Sequence, residues 1–371
     1  MPIYKMQGKK DGVQKYRVRI NYTDHSGKPR QLDRVAYGAA EAKALEAHLL
    51  STLDNGDGKM TVGALFEEYK AVKKNQVRET TLLKSTGHIS RHVLPELGIV
   101  KLQQLDGKTL QRWKHYIEDK RLSIVTKKNI YRDFAAMLNY AVRMEYLTRN
   151  PLIIVGNFKD AYDAPKELCY YTHDQFKSFI AAARDDAKTF CDWSCYTFFV
   201  TAYYTGARKG EINALRWSDI EGDIIHIRRS VTQKLKGGDA ETPPKNKSSI
   251  RDIKMPAPLV RVLGEHKERQ RQIKGFSEDF RVCGGATCVR DTTLDVKNRK
   301  YADLAGLPHI RIHDFRHSHA SLLANEGINI QEIARRLGHS KPETTWNIYA
   351  HLYPREEDRA VAILNNLDIK I

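Results

Sequence analysis

Two spacings of apolar residues bound what this chain can fold into. In the stretch QKYRVRINY, Tyr16, Val18, Ile20 and Tyr22 alternate with Lys15, Arg17, Arg19 and Asn21, the period of a half-buried strand with one packed face and one basic face. The turn-rich DHSGKPR and the following RQLDRVAY predict a second strand beside the first. The composition of residues 39–53 predicts a helix that covers the sheet. After the Gly- and Asp-rich break LDNGDGK the spacing becomes helical. Thr61 is placed to cap a helix carrying Leu65, Phe66 and Tyr69, and Asp106 to cap another carrying Leu110, Trp113 and Ile117. Tyr131, Phe134, Leu138 and Ala141 trace a third apolar stripe, and Asn150–Pro151 ends the bundle. A capping box of Thr172 and Gln175 opens a further region, with helices to about residue 204, short strands around DIIHIRRSV and SSIRDIKM, and helices thereafter. The expectation is a multidomain chain, mainly α with small β elements. Its parts are a sheet-plus-helix module over 1–58, a helical domain over 61–155, and an α+β domain with a C-terminal tail over 165–371.

Charge narrows the partner. The 371 residues carry a formal net charge of +17, which points to a polyanion, nucleic acid before membrane. Residues 1–35 hold nine Lys and Arg against three Asp and Glu, and residues 61–164 hold eighteen against eleven. The first half is therefore the more basic. Lys15, Arg17 and Arg19 on the strand, and Lys127 and Lys128 on a helix, are the candidate DNA contacts. No apolar run follows Met1–Pro2, and no stretch is long enough to span a bilayer, so neither a secretory leader nor a membrane partner is expected. Five cysteines, an odd number, suit reduced thiols in a cytoplasm. Cys283 and Cys288 with His309 and His313 invite a zinc reading, but the gap between the pairs is longer than a finger's and no second ligand pair lies nearby.

Four separated pieces of the last region carry chemistry. TGARKGEINAL places Arg208 and Glu211 one helical turn apart, TPPKNKSSIRDIKM puts lysines at a turn between strands, and HDFRHSHASLL sets His313 and Arg316 on one helical face. A histidine and an arginine that close call for an anion between them. The fourth piece, EIARRLGHSKPETTWNIYAHLY, reads either as a helix-turn-helix of a regulator, with Gly338 as the turn, or as part of an active site with His339 and Tyr349.

Taken in order, TGxRxxE, a hairpin lysine, HxxR, LGHS and TxxxY resemble the tyrosine recombinase family, the lambda-type integrases of phages and conjugative elements. The resemblance covers roughly residues 165–355, and the layout ahead of it is similar to integrase arm-binding and core-binding domains. It leaves the helix-turn-helix reading as a coincidence. It implies that Arg208 and Arg316 hold the non-bridging oxygens of a phosphodiester, while His313 and His339 add hydrogen bonds or proton transfer. Glu211 orients Arg208, and Tyr349 is the nucleophile that forms a 3′-phosphotyrosine. The leaving 5′-oxygen takes its proton from a lysine, matched at Lys245 with Lys247 as the alternative, and Tyr353 is the rival tyrosine. With so many cations, neither metal nor cofactor is expected. The implied partners are double-stranded DNA, its core site clamped by the helical and α+β domains and its arm sites bound by the N-terminal sheet, and a homotetramer on DNA passing through a Holliday junction. An excisionase or directionality factor and a host DNA-bending protein join them, with the enzyme at the nucleoid in use. The tail DRAVAILNNL, with Val361, Ile363, Leu364 and Leu367, is expected to pack on the same or a neighbouring protomer. The rival readings are an inactive DNA-binding regulator of this fold, a Xer-like recombinase and a type IB topoisomerase.

Overall fold

The computed structural model describes residues 3–10, 13–23, 29–53, 60–160, 168–233, 238–242 and 247–353, with 357, 361 and 364 beyond. It divides into two compact units, Met1–Ala164 and Pro165–Ile371.

The first unit opens with a three-stranded antiparallel sheet, β1 (Ile3–Lys10), β2 (Val13–Thr23) and β3 (Pro29–Tyr37), with β2 in the middle. Alternation sets its faces as expected. Val18, Ile20 and Ala36 are buried under helix α1 (Ala39–Leu53), which contributes Ala42 and Leu49. The opposite face carries Arg17 and Arg19 beside Asp33, at 3.4 and 3.1 Å. The β1 strand was not anticipated. Its register shifts between Lys5 and Lys9, around a Gly8 with φ of +100°, and such an irregularity breaks the two-residue period.

A second core in this unit belongs to α2 (Val62–Lys74), α3 (Glu79–His92), the short α4 (Leu94–Leu97), α5 (Gly107–Glu118) and α6 (Ile124–Arg143). The expected caps are present: Thr61 accepts from the amide of Ala64 and Asp106 from that of Thr109. Trp113 is buried edge-on against Phe134 at 5.1 Å and donates its indole N–H to the His92 carbonyl. Burying the ring while satisfying its one donor is what makes tryptophan a good core anchor. Lys127 donates to the Glu118 carbonyl, and Lys128 lies half-buried beside it.

The second unit is built on α7 (His173–Asp185) and α8 (Phe190–Thr205). The Thr172–Gln175 capping box starts α7. Eleven of the sixteen α8 residues are buried, and a helix apolar all round is one that neighbours enclose. Phe179, Phe199, Tyr301 and Phe315 meet there with ring centroids 5.2–6.0 Å apart. Then come α9 (Lys209–Ala214), the sheet β4 (Ile220–Glu221), β5 (Ile224–Ile227), and the hairpin β6 (Ser230–Thr232) with β7 (Ala240–Thr242). Strand β8 (Arg251–Lys254) returns to pair antiparallel with β5. Helices α10 (Ala257–Arg271), α11 (Asp291–Leu304), α12 (Asp314–Asn325), α13 (Ile330–Leu337) and α14 (Pro342–Tyr349) complete the unit. Apart from Val361 and Leu364, both exposed, the tail residues named above lie outside the described residues. Among the described residues no helix is long and apolar enough to cross a membrane, and no three His, Cys, Asp or Glu side chains gather as a metal cage. Cys283 is in the core, Cys288 contacts Asp239, and His309 contacts Asn298.

Gly206 ends α8 with a left-handed φ of +61°, and a Cβ there would lie 2.7 Å from the His319 ring and 2.8 Å from Leu337. Gly206→Ala is expected to lose about 2–4 kcal/mol in urea unfolding, from left-handed strain and overpacking together. Gly264→Ala, inside α10 with open space at its Cβ, should gain about 0.5–1 kcal/mol in the same measurement.

Candidate active site

The site forms where two helices stop. Thr205 and Gly206 close α8, and a left-handed end leaves carbonyls that the helix itself cannot use. The Gly206 carbonyl accepts from one terminal nitrogen of Arg316, at 2.8 Å. Gly338 closes α13 in the same way, and its carbonyl lies 3.4 Å from a terminal nitrogen of Arg208. A Cβ at Gly338 would stand 3.0 Å from the Arg251 guanidinium, so glycine is needed there for space as well as for backbone.

Glu211 ties these groups together. It is buried at N3 of α9, where one carboxylate oxygen accepts the Arg208 backbone amide at 2.9 Å and the other meets the Arg208 guanidinium at 2.8 Å. Arg251, buried on β8, donates to the first oxygen at 2.9 Å. Arg251 also donates to the carbonyls of Arg336, at 2.6 Å, and Ser249, at 3.1 Å. Burial alone would push the Glu211 pKa up; Arg251 and then Arg208 outweigh it and hold the carboxyl below its ordinary 4.5.

Arg316 is 3% exposed, and its second terminal nitrogen, equally buried, has no hydrogen-bond partner among the described residues. Leaving a buried charged donor unmade costs more than the usual 1–3 kcal/mol for a neutral one, so the position is built for an acceptor. Burial and the neighbouring Arg208 push its pKa down to about 9, with Glu211 pulling the other way; it stays cationic at neutral pH.

Three histidines adjoin the arginines. His313 occupies the N-cap position of α12, without a side-chain capping bond, rather than sitting inside the helix. Partial desolvation lowers its pKa, and His317 and Arg316 add to that, although the residue as a whole is exposed. His339 follows Gly338, meets the Thr345 hydroxyl at 2.7 Å, and is held near 4 by burial and by Arg316, Arg208 and Arg251. Tyr349 ends α14, 1% exposed, with its hydroxyl 2.7 Å from Nδ1 of His317. Burial raises its pKa to about 12, against the pull of Arg316. Tyr353 donates instead to the Ile328 carbonyl at 2.6 Å and stacks loosely on Trp346, a packing role.

Arg208, Glu211, His313, Arg316, His339 and Tyr349 are thus brought together. Lys245 lies outside the described residues, and Lys247 is described only as the start of a short 3-10 turn. The arms leading to that segment are anchored. Glu241 on β7 takes a hydrogen bond from Arg216 at 2.9 Å and another from Arg281, while Gln233 after β6 caps the amide of Asp291. Lys15, Arg17, Arg19, Lys127 and Lys128 all belong to the first unit. Two residues of the cluster escaped the sequence reading. Arg251 shares a strand face with buried Ile253, so a cation in phase with an apolar residue was the signal. His317 stands four residues after His313 and thus on its face of α12.

Glu211→Ala leaves Arg251 buried without its counter-charge, and should cost about 3–5 kcal/mol in denaturant unfolding. Because the folded pKa of Glu211 is depressed, its contribution is fully present above about pH 4.5 and is lost as pH falls through the folded value. Glu211→Gln should therefore flatten the acid limb of a stability-versus-pH curve below pH 4.5.

Comparison with known proteins identifies the family and the fold. The sequence model of the phage integrase family matches residues 170–356, and that of the phage integrase N-terminal SAM-like domain matches residues 61–118. The chain is 27% identical over 393 residues to a XerC-like tyrosine recombinase of Caldanaerobacter subterraneus, covering 97% of this chain and 98% of the relative. It is 29% identical over 287 residues to the ICEBs1 integrase of Bacillus subtilis, covering 75% and 76%. Among solved structures, the Tn1549 transposon integrase bound to transposon right-end DNA has a TM-score of 0.64 at 21% identity, covering 84% of this chain and 100% of that one. A lambda integrase tetramer on a Holliday junction has a TM-score of 0.54 at 18% identity, covering 92% and 96%. At such identities the two structures speak to the fold. The matched domain spans the whole cluster from Arg208 to Tyr349, and the chain belongs to the phage integrase family of tyrosine recombinases.

Proposed function

We propose that the chain is the integrase of a mobile genetic element, cutting and rejoining DNA at defined sites with Tyr349 as nucleophile. The observation that carries the residue assignment is the buried nitrogen of Arg316, without a partner among the described residues, in a cluster with Arg208, His313, His339 and Tyr349. A phosphodiester oxygen supplies the acceptor that this nitrogen lacks. Two planar guanidiniums fit the two non-bridging oxygens, and donors fixed before the reaction need no reorganisation as charge builds there.

In this reading the Tyr349 oxygen attacks phosphorus, the bond to the 5′-oxygen breaks, and the phosphate stays on the enzyme as a 3′-phosphotyrosine. The bond energy is kept rather than lost to water, so a 5′-hydroxyl from another duplex can reverse the step. His313 and His339 hydrogen-bond the phosphate, Lys245 or Lys247 protonates the leaving oxygen, and Glu211 holds Arg208 in place. No step calls on a metal. Residues 1–58 bind arm sites through the basic face of β2, residues 61–155 bind the core site with help from Lys127 and Lys128, and residues 165–371 carry the chemistry. Four protomers on two duplexes, exchanging strands through a Holliday junction, complete the reaction, a reading supported by the fold shared with lambda integrase, which has been solved as a tetramer on such a junction. A directionality factor and a host DNA-bending protein are proposed partners, and the work is done at the nucleoid in the cytoplasm.

A core-site duplex nicked just beyond the cleavage point, which on cleavage releases the short fragment that bears the new 5′-hydroxyl, traps the covalent complex. Tyr349→Phe should abolish trapping while DNA affinity stays within about twofold, and Tyr353→Phe should trap as the parent does. A chain lacking residues 1–58 should still trap core DNA and lose arm-site binding. Trapping that survives Tyr349→Phe and disappears with Tyr353→Phe would move the nucleophile.

A further inference from the structure

The mechanism above leaves one proton without a destination. Tyr349 must lose its phenolic hydrogen as its oxygen bonds to phosphorus. With a pKa near 12, roughly one such phenol in 10⁵ is ionised at neutral pH. Cations alone have not brought this phenol into range.

Among the described residues the Tyr349 hydroxyl has one hydrogen-bond partner, Nδ1 of His317, at 2.7 Å, with the ring centroids 5.9 Å apart. In the His317 tautomer that carries its proton on Nε2, the hydroxyl donates and Nδ1 accepts, which is the arrangement a base requires. The other two histidines are placed differently. His339 spends Nδ1 on the Thr345 hydroxyl, and His313 lies edge-on to His317 at 5.4 Å between centroids. His317 immediately follows Arg316 on α12, so one helical turn presents both a phosphate ligand and an acceptor for the nucleophile's proton.

Resting on the reading of Tyr349 as nucleophile, we propose that His317 is a further catalytic residue, the general base that takes the phenolic proton of Tyr349 during strand cleavage and returns it during rejoining. In cleavage the Tyr349 O–H bond breaks and its proton moves to Nδ1. The electron pair of that bond forms the new O–P bond, and the bond from phosphorus to the 5′-oxygen breaks, its pair protonated by the hairpin lysine. Rejoining runs these transfers backwards, with imidazolium His317 protonating the departing phenolate. A base must start neutral, and the surroundings favour that. Burial lowers the His317 pKa, Asp314 opposes, and Arg311 and Arg316 lower it again.

The test is single-turnover cleavage of the nicked core-site duplex by His317→Ala and His317→Asn, with melting temperature and DNA affinity measured on each. The asparagine amide oxygen stands where Nδ1 stood, so it can accept the phenol's hydrogen bond without taking its proton. Both variants are expected to cleave and rejoin roughly a hundredfold or more slowly, with DNA affinity within about twofold and His317→Asn melting as the parent does. Should His317→Ala fail to fold, His317→Asn carries the measurement. Parental rates in either variant overturn the inference, recovery in His317→Asn alone meaning that the contact only holds the ring. Covalent capture by Tyr349→Phe would overturn the nucleophile assignment and this inference with it, whereas loss of capture there beside unchanged His317 variants overturns the inference alone.

Discussion

The second unit depends on one buried carboxylate. Arg208, Arg251 and Arg316 gather where like charges repel, and burial makes the repulsion stronger than it is in water. Glu211, 4% exposed, lies between the first two at hydrogen-bonding distance and offsets part of the excess. The remainder is left for a ligand. A pocket with two guanidiniums sharing one carboxylate, and a third with one terminal nitrogen unpartnered among the described residues, is electrostatically incomplete until an anion enters. Phosphate is suited to that role because its two non-bridging oxygens take charged donors from several directions at once.

The backbone supplies the other half of the arrangement. Helices α8 and α13 both end in left-handed glycines, and the carbonyl groups there receive arginines from distant parts of the chain. Helix ends, which ordinarily leave polar groups for water, here become the jig that fixes guanidinium orientation. That explains why Gly206 and Gly338 flank the charged residues in sequence: TG precedes AR, and LG precedes HS. Each glycine has a local reason to be there, and both reasons lead to the same pocket.

How much of this could be read from the sequence follows the physics of each part. Period and capping chemistry are local, so α1, the Thr61, Asp106 and Thr172 caps and the faces of β2 were legible. The bulged β1 was not, because its irregular register erases the alternation that reveals a strand. Within the site, Arg208, His313, Arg316, His339 and Tyr349 were legible through spacing that resembles a known family. Arg251 and His317 sit in the same quoted stretches yet passed unnoticed. An arginine on a strand reads as a solvated charge until Glu211 is seen beneath it, and a histidine beside an arginine says nothing of a tyrosine thirty-two residues away. Contacts at long sequence separation are where sequence reading ends.

The most direct measurement of the central claim is a structure of the protein with vanadate on core-site DNA broken at the scissile position, with free 3′- and 5′-hydroxyls and no phosphate between them, where vanadate takes up the five-coordinate geometry of phosphorus under attack. The account predicts vanadium bonded to the Tyr349 oxygen, with Arg208 and the formerly unpartnered nitrogen of Arg316 each within about 3 Å of an equatorial oxygen. Vanadate bound elsewhere, or held beside Tyr349 while that nitrogen of Arg316 still lacks a partner, would contradict it.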